Sequence, residues 1–372
     1  MDRHQLARML KATSLTRRGR LAEATALLQR DPIGPPIRHP LPQLPALADM
    51  QALVSRLPHE SLSRLPHGSA GRPAVPARPH PGPVAPGQFL DCTYASAAGQ
   101  RTYKLYVPTG YAGRPVPLVV MLHGGTQSAD DFAAGTRMND HAERDGFLVA
   151  YPEQSRNANP MGYWNWFQPA DQRRGSGEAS LIAGLTEQII ERYAVDASRV
   201  YLAGFSAGGA MAAVVAAAYP DVYAAVGVHS GLPAGAAHDI PSAFAAMKQG
   251  PEISGGLRVP LIVFHGDADP IVDHVNADCL VRATRSGIGA GQHTLTTKHQ
   301  VPDGHEYTRQ VHIDRDGTPR VEQWTIHRAG HAWSGGSSHG TYTDAQGPDA
   351  TAELARFFAQ HTNRDAHWQS AA

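Results

Sequence analysis

Three residue types together make a covalent nucleophile: a serine to attack, a histidine to take its proton, and an acid to orient the histidine. Ser206 is the first candidate. It sits in Arg199-Val200-Tyr201-Leu202-Ala203-Gly204-Phe205-Ser206-Ala207-Gly208-Gly209, an apolar strand followed by an Ala-rich helix that runs to Tyr219 and stops at Pro220. The pattern Gly204-x-Ser206-x-Gly208 is that of a nucleophile elbow. An abrupt strand-to-helix turn forces the serine into a strained backbone, so the residues two before and two after must lack side chains. The helix beneath it favours developing negative charge.

The acid is expected in Leu261-Ile262-Val263-Phe264-His265-Gly266-Asp267-Ala268-Asp269-Pro270, an apolar strand, a glycine, then two carboxylates in a loop. Asp269 is the candidate because it stands far enough from the strand to reach a histidine. Asp267 is the runner-up, with loop capping as its plainer role. Among 20 histidines, His331 is framed best, in Ala329-Gly330-His331-Ala332-Trp333-Ser334-Gly335-Gly336. His327, at the end of the preceding strand, is expected to be structural, and His229, His305 and His339 lack such framing.

An oxyanion needs backbone donors. Leu118–Leu122 is a buried strand running into His123-Gly124-Gly125-Thr126, where glycines let N–H groups turn inward. Gly125 or Thr126 is expected to supply one donor and Ala207 the other, with His123 propping the loop. Trp333 and Trp164 are expected to line the substrate cleft, against the plainer reading that tryptophans fill the core.

The elements that must position these residues alternate. Strands are expected over 102–107, 118–123, 147–151, 224–228 and 261–265. Leu181, Leu185, Ile189 and Tyr193 recur at helical spacing ahead of the serine strand. Tyr307–Ile313 and Val321–Ile326 flank the turn signal Asp316-Gly317. Asp349 can cap a last helix with Leu354, Phe357 and Phe358 on one face. Alternating strands and helices give an α/β domain, a mostly parallel sheet covered on both faces, over residues 89–364.

The rest of the chain is different in kind. Residues 1–30 scatter leucines among arginines, which predicts two short basic amphipathic helices, about 3–13 and 20–30, split at Gly19. Two readings stand for them: a pair packed on the main domain, or an anchor for a lipid or polymer-granule surface. Residues 31–88 form a Pro-rich linker, since 14 of the chain's 29 prolines fall between residues 31 and 90.

Lys+Arg 33 balances Asp+Glu 33, so nothing points to nucleic acid. There is no zinc-type spacing, and Gly287-x-Gly289-x-Gly291 places Gln292 where a dinucleotide fingerprint needs its third glycine. Neither metal nor organic cofactor is expected. Cys92 and Cys279 either pair or stay as two buried thiols. With neither a secretory apolar run near the start nor a stretch long enough to span a membrane, a cytoplasmic protein is expected.

The motifs His-Gly-Gly-Thr-Gln-Ser (123–128), Tyr163-Trp164-Asn165-Trp166-Phe167, Gly-Phe-Ser-Ala-Gly-Gly-Ala-Met (204–211), His-Gly-Asp-Ala-Asp (265–269) and Gly-His-Ala-Trp-Ser-Gly-Gly (330–336) resemble those of the polyhydroxybutyrate depolymerase family of esterases. The resemblance covers about residues 89–361. It implies an α/β-hydrolase fold, Ser206, Asp269 and His331 as a catalytic triad, and short-chain 3-hydroxyalkanoate polyesters or oligomers as substrates. Relatives of the family include feruloyl and acetylxylan esterases, which makes a carbohydrate ester the alternative substrate, and secreted enzymes, which makes an extracellular location the alternative site. Many members carry cysteines where Gly125 and Tyr163 stand, so the resemblance implies joint loss of a disulfide between the oxyanion loop and the Trp-Asn-Trp loop. A rival of another class is a granule- or membrane-associated binding protein that keeps the fold as a scaffold.

Overall fold

The computed structural model describes residues 87–252, 256–288 and 293–363. The chain divides into a unit of residues 1–76 and a unit of residues 77–372. All described residues belong to the second, so the helical pair and nearly all of the Pro-rich linker lie outside them.

Within the second unit, β1 (Gln88–Ser96) and β2 (Gly99–Val107) open an antiparallel hairpin. Then follow β3 (Val116–Leu122), β4 (Leu148–Pro152), β5 (Val195–Phe205), β6 (Ala225–His229) and β7 (Leu261–Gly266). β8 (His293–Gln300), β9 (Glu306–Ile313) and β10 (Pro319–Ile326) complete a ten-stranded sheet in the order β1-β2-β4-β3-β5-β6-β7-β10-β9-β8. The six strands from β4 to β10 in that order run parallel, while the hairpins at the two edges are antiparallel.

The central strands are apolar on both sides because both sides are covered. Leu118, Val120 and Leu122 of β3 face one core, which they share with Leu181, Ile182 and Leu185 of α3 (Gly177–Arg192) and Met211 and Val215 of α4 (Ala207–Ala218). The intervening Val119 and Met121 face the other core. There they meet Phe132 of α1 (Ala129–Thr136), Met138 of α2 (Met138–Asp145) and Leu354, Phe357 and Phe358 of α7 (Ala350–Phe358). Two further helices, α5 (Ile240–Gln249) and α6 (Val275–Ile288), lie on the first side. Asp349 caps α7, its carboxylate accepting from the Ala352 N–H at 2.9 Å.

Cys92 and Cys279 are both unpaired, the first half-buried and the second buried. Among the described residues no helix is long and apolar enough to cross a membrane.

Candidate active site

The turn from β5 into α4 is as tight as its glycines require. Ser206 adopts φ 54° and ψ −119°, a conformation costly to a residue with a side chain. A β-carbon on Gly204 would collide with the backbone of Gly208, and one on Gly208 with the carbonyls of Leu122 and His123. Both glycines are therefore needed, one to close the turn and one to let α4 abut the end of β3. The Ser206 N–H donates to the His229 carbonyl at 2.9 Å, tying the elbow to the end of β6.

Three residues far apart in the chain meet here. Ser206 Oγ lies 2.8 Å from His331 Nε2, and His331 Nδ1 lies 2.7 Å from Asp269 Oδ2. Asp269 stands on the loop after β7 and His331 on the loop after β10, which is the strand paired parallel to β7. Two strand ends therefore bring the carboxylate and the imidazole side by side. The Asp269 carboxylate is fully buried, which on its own would raise its pKa. The neighbouring His265 imidazole and the hydrogen bond from His331 outweigh that and hold the carboxylate well below the usual range. The ring of Phe205 packs at 4.9 Å from that of His331.

The runner-up acid does something else. Asp267 accepts from His327 Nδ1 at 2.8 Å and from the Arg328 N–H at 2.6 Å, so it caps the neighbouring loop with His327 as its partner. His305 pairs with Asp344 and His339 with Ser337. His229, fully buried, accepts from the Ser334 N–H at 3.0 Å and stacks on Trp333.

Facing the elbow, the loop after β3 is braced from below. His123 is buried, and its Nε2 accepts from the Gln154 N–H at 3.1 Å, so Nδ1 carries the proton and donates to the Gly124 carbonyl at 2.7 Å. Burial pushes its pKa down to about 4, so the ring stays neutral. The Gly124 N–H is taken by Gln127 Oε1 at 2.9 Å. The N–H groups of Gly125 and Thr126 have no acceptor among the described residues. Thr126 adopts φ 68°. The Ala207 N–H, at the first position of α4, has no acceptor within the helix. Three donors are thus left open around the elbow.

The expectation for the tryptophans needs correction. Trp164 is 0% exposed and Trp333 2% exposed, so neither lines an open cleft. Trp164 donates from Nε1 to the His123 carbonyl at 3.0 Å, and Trp333 donates from Nε1 to Thr351 Oγ1 at 3.0 Å. An indole with a buried partner for its N–H serves better as a strut than as a wall. The exposed aromatics nearby are Tyr163 and Tyr342, 39% and 48% exposed. Tyr163 lies against Gly125, and the Tyr342 ring is 6.4 Å from Phe205. For Tyr163 the available signal was its place next to Trp164, whereas Tyr342 comes nine residues after Trp333 and meets it only in the fold, where the Trp333 N–H donates to the Tyr342 carbonyl at 2.7 Å.

A buried ion pair fastens the segment that carries Tyr163. Glu178, at the start of α3, pairs with Arg101 of β2 at 3.0 Å, both being almost wholly buried. It also accepts from Gln154 Nε2, from the Asn165 N–H at 2.8 Å and from Asn165 Nδ2 at 3.0 Å. Gln154 in turn donates to the Tyr163 carbonyl at 2.9 Å. Sequence reading missed this network because its members lie on four separate segments.

A strained serine over the edge of a mostly parallel sheet, hydrogen-bonded to a histidine and an acid carried by later strands, defines an α/β-hydrolase. A solved acetyl xylan esterase from Aspergillus awamori has the same fold, with a TM-score of 0.57 and 21% identity over 73% of this chain and 99% of its own. The family model described as esterase PHB depolymerase matches residues 101–286, and the chain belongs to that family. The matched segment holds Ser206 and Asp269 and ends before His331. Poly(3-hydroxyalkanoate) depolymerase C of Paucimonas lemoignei is 33% identical over 246 residues, 61% of this chain and 57% of the relative. Feruloyl esterase B of Neurospora crassa is 34% identical over 188 residues, 45% of this chain and 63% of the relative. The chain thus spans about three-fifths of the length of these two relatives.

Proposed function

We propose that the protein is a serine ester hydrolase that cleaves short-chain 3-hydroxyalkanoate polyesters or oligomers. The observation that carries the reading is the unbroken hydrogen-bonded line from the buried Asp269 through His331 to the oxygen of the strained Ser206. In this reading Ser206 Oγ attacks the ester carbonyl while His331 Nε2 takes its proton. The imidazolium then returns the proton to the departing alcohol, and Asp269 holds the ring in the required tautomer. The Ala207 N–H, with that of Gly125 or Thr126, receives the oxyanion. Water, deprotonated by His331, releases the acyl group from Ser206.

The substrate class is supported by family membership and by the likeness to a poly(3-hydroxyalkanoate) depolymerase. A carbohydrate ester is the second reading, supported by the likeness to a feruloyl esterase. A panel of hydroxybutyrate oligomers, amorphous polymer, and feruloylated or acetylated sugars separates them. Release of 3-hydroxybutyrate is expected; release of ferulate or acetate alone would favour the second reading. Ser206→Ala is expected to abolish turnover on every member of the panel, and an active S206A protein would overturn the mechanism.

A further inference from the structure

The carboxylate of Asp269 has neighbours beyond the histidine it orients. Its Oδ1 accepts from the N–H groups of Ile271 at 2.8 Å and Val272 at 3.0 Å. Its Oδ2, which faces His331, has a second imidazole beside it: His265 Nε2 at 3.4 Å. His265 is the fifth residue of β7 and is 1% exposed. The same Nε2 lies 2.8 Å from the Val272 carbonyl. A carbonyl can only accept, so Nε2 carries the proton and, in the neutral ring, Nδ1 is bare.

That bare Nδ1 is buried and has no hydrogen-bond partner among the described residues. Leaving a buried polar atom unpaired is costly, and Val263, two positions back on the same face of β7, shows that an apolar side chain fits this layer. A histidine here needs a compensating use for its other nitrogen. The donor set around Asp269 supplies one, because an ionised carboxylate has about four lone-pair directions. Two are met by loop N–H groups and one by His331, and the His265 Nε2–H, directed at the Val272 carbonyl, lies beside Oδ2 at 3.4 Å.

We propose that His265 is a positioning residue: its Nε2–H fastens the 269–272 loop through the Val272 carbonyl and braces the Asp269 oxygen that accepts the hydrogen bond from His331 Nδ1. This rests on the reading of Ser206, His331 and Asp269 as the reacting set. His265 touches neither Ser206 nor a substrate, and it acts through Asp269.

The expected consequence is a shift in the pH profile. Removing the N–H dipole beside Oδ2 leaves the Asp269 charge less neutralised, so it holds the imidazolium form of His331 more tightly. The acid limb of kcat/KM therefore moves to higher pH. The other groups facing His331 are Ser206 from the elbow and the buried, neutral His229 from the end of β6, whose pKa is driven down by burial. The Asp267–His327 pair on the same two loops is closed on itself at 2.8 Å.

The test compares the full-length protein with His265→Phe, which keeps a flat ring without N–H, and His265→Gln, which keeps an N–H. The substrate is a short-chain p-nitrophenyl ester. H265F is expected to lower kcat about tenfold and to raise the acid limb by roughly half a unit or more, with H265Q restoring most of both. A folded H265F with an unmoved acid limb, or an H265Q as impaired as H265F, would overturn the proposal. Histidine-labelled wild-type protein, observed by ¹⁵N NMR, covers the case in which H265F does not fold. A slowly exchanging Nε2–H on His265 supports the proposal, and an Nδ1–H tautomer overturns it. Activity of S206A separates the two readings: an active S206A sinks the reacting set itself, whereas an inactive S206A beside an unmoved acid limb sinks only the role of His265.

Discussion

The ring of Tyr163 lies against Gly125, in the space that a β-carbon on residue 125 would occupy. These are the two positions at which the family resemblance implies cysteines in many members, and here they are still neighbours. The loop after β3 and the Trp-Asn-Trp loop thus meet here through one ring against one bare backbone. Gly125→Ala therefore forces Tyr163 or the loop to move. Its kcat is expected to fall about 10²-fold, the order of losing one oxyanion donor. Tyr163→Ala in the same background should recover most of that loss. A double-mutant cycle on ester turnover measures the coupling, and strict additivity of the two substitutions would refute the contact as the cause.

The ion pair beneath that loop carries a second prediction. Glu178→Ala would leave Arg101 buried without its partner, together with unmet donors on Gln154 and Asn165. Removing one member of such a pair is expected to cost about 3–5 kcal/mol. Glu178→Gln should cost less, since an amide oxygen still accepts. Urea unfolding of the two variants checks the order; equal losses would mean that the charge is irrelevant.

The buried tryptophans and exposed tyrosines should separate in their effects. Trp164→Phe removes the donor to the His123 carbonyl and is expected to lower stability by about 1–3 kcal/mol, leaving KM on a soluble ester near its original value. Tyr342→Ala, at a side chain 48% exposed, is expected to leave stability within about 0.5 kcal/mol and to raise KM. Thermal unfolding and steady-state kinetics on both variants read the two patterns, and a raised KM in W164F with unchanged stability would reverse the assignment.

Acid should destabilise the fold through its buried histidines. Burial lowers the pKa of His123, His312 and His361 to about 4 in each case, against about 6.5 in an unfolded chain. Between those values the unfolded chain binds protons that the folded one refuses, so stability falls as pH drops from about 6.5 to 4 and rises with pH across the same window. His123 alone corresponds to roughly 3 kcal/mol once both limits are passed. Asp269 acts in the opposite way and at lower pH. Its depressed pKa adds stability above the unfolded value, and that contribution is lost as pH falls through the folded one. Urea unfolding at pH 7, 5.5 and 4.5 should show the decline, and His361→Leu should flatten it by one group's share. Parallel curves for wild type and H361L would count against the assignment.

What the amino-acid order determined by itself is local. Glycines two residues either side of Ser206 dictate an elbow, because no β-carbon fits there. Apolar runs at 118–122, 200–205 and 261–264 dictate strands covered on both faces, because nothing polar in them asks for water. Asp269 and His331 were legible for the same reason, each following an apolar strand and a glycine. β1 and β8 were not legible: an edge strand such as β8, exposed at every residue, lacks the apolar alternation that marks a half-buried one. What only the tertiary structure decided is which side chains face open space. Trp164 and Trp333 lie within the motifs yet point into the core, while Tyr163, adjoining the first, and Tyr342, nine residues after the second, stay exposed. Burial depends on what folds over a residue from elsewhere in the chain. The partners of Asp269 show the same limit, for His265 reaches it only because β7 and the turn that follows bring a strand side chain back against its own loop.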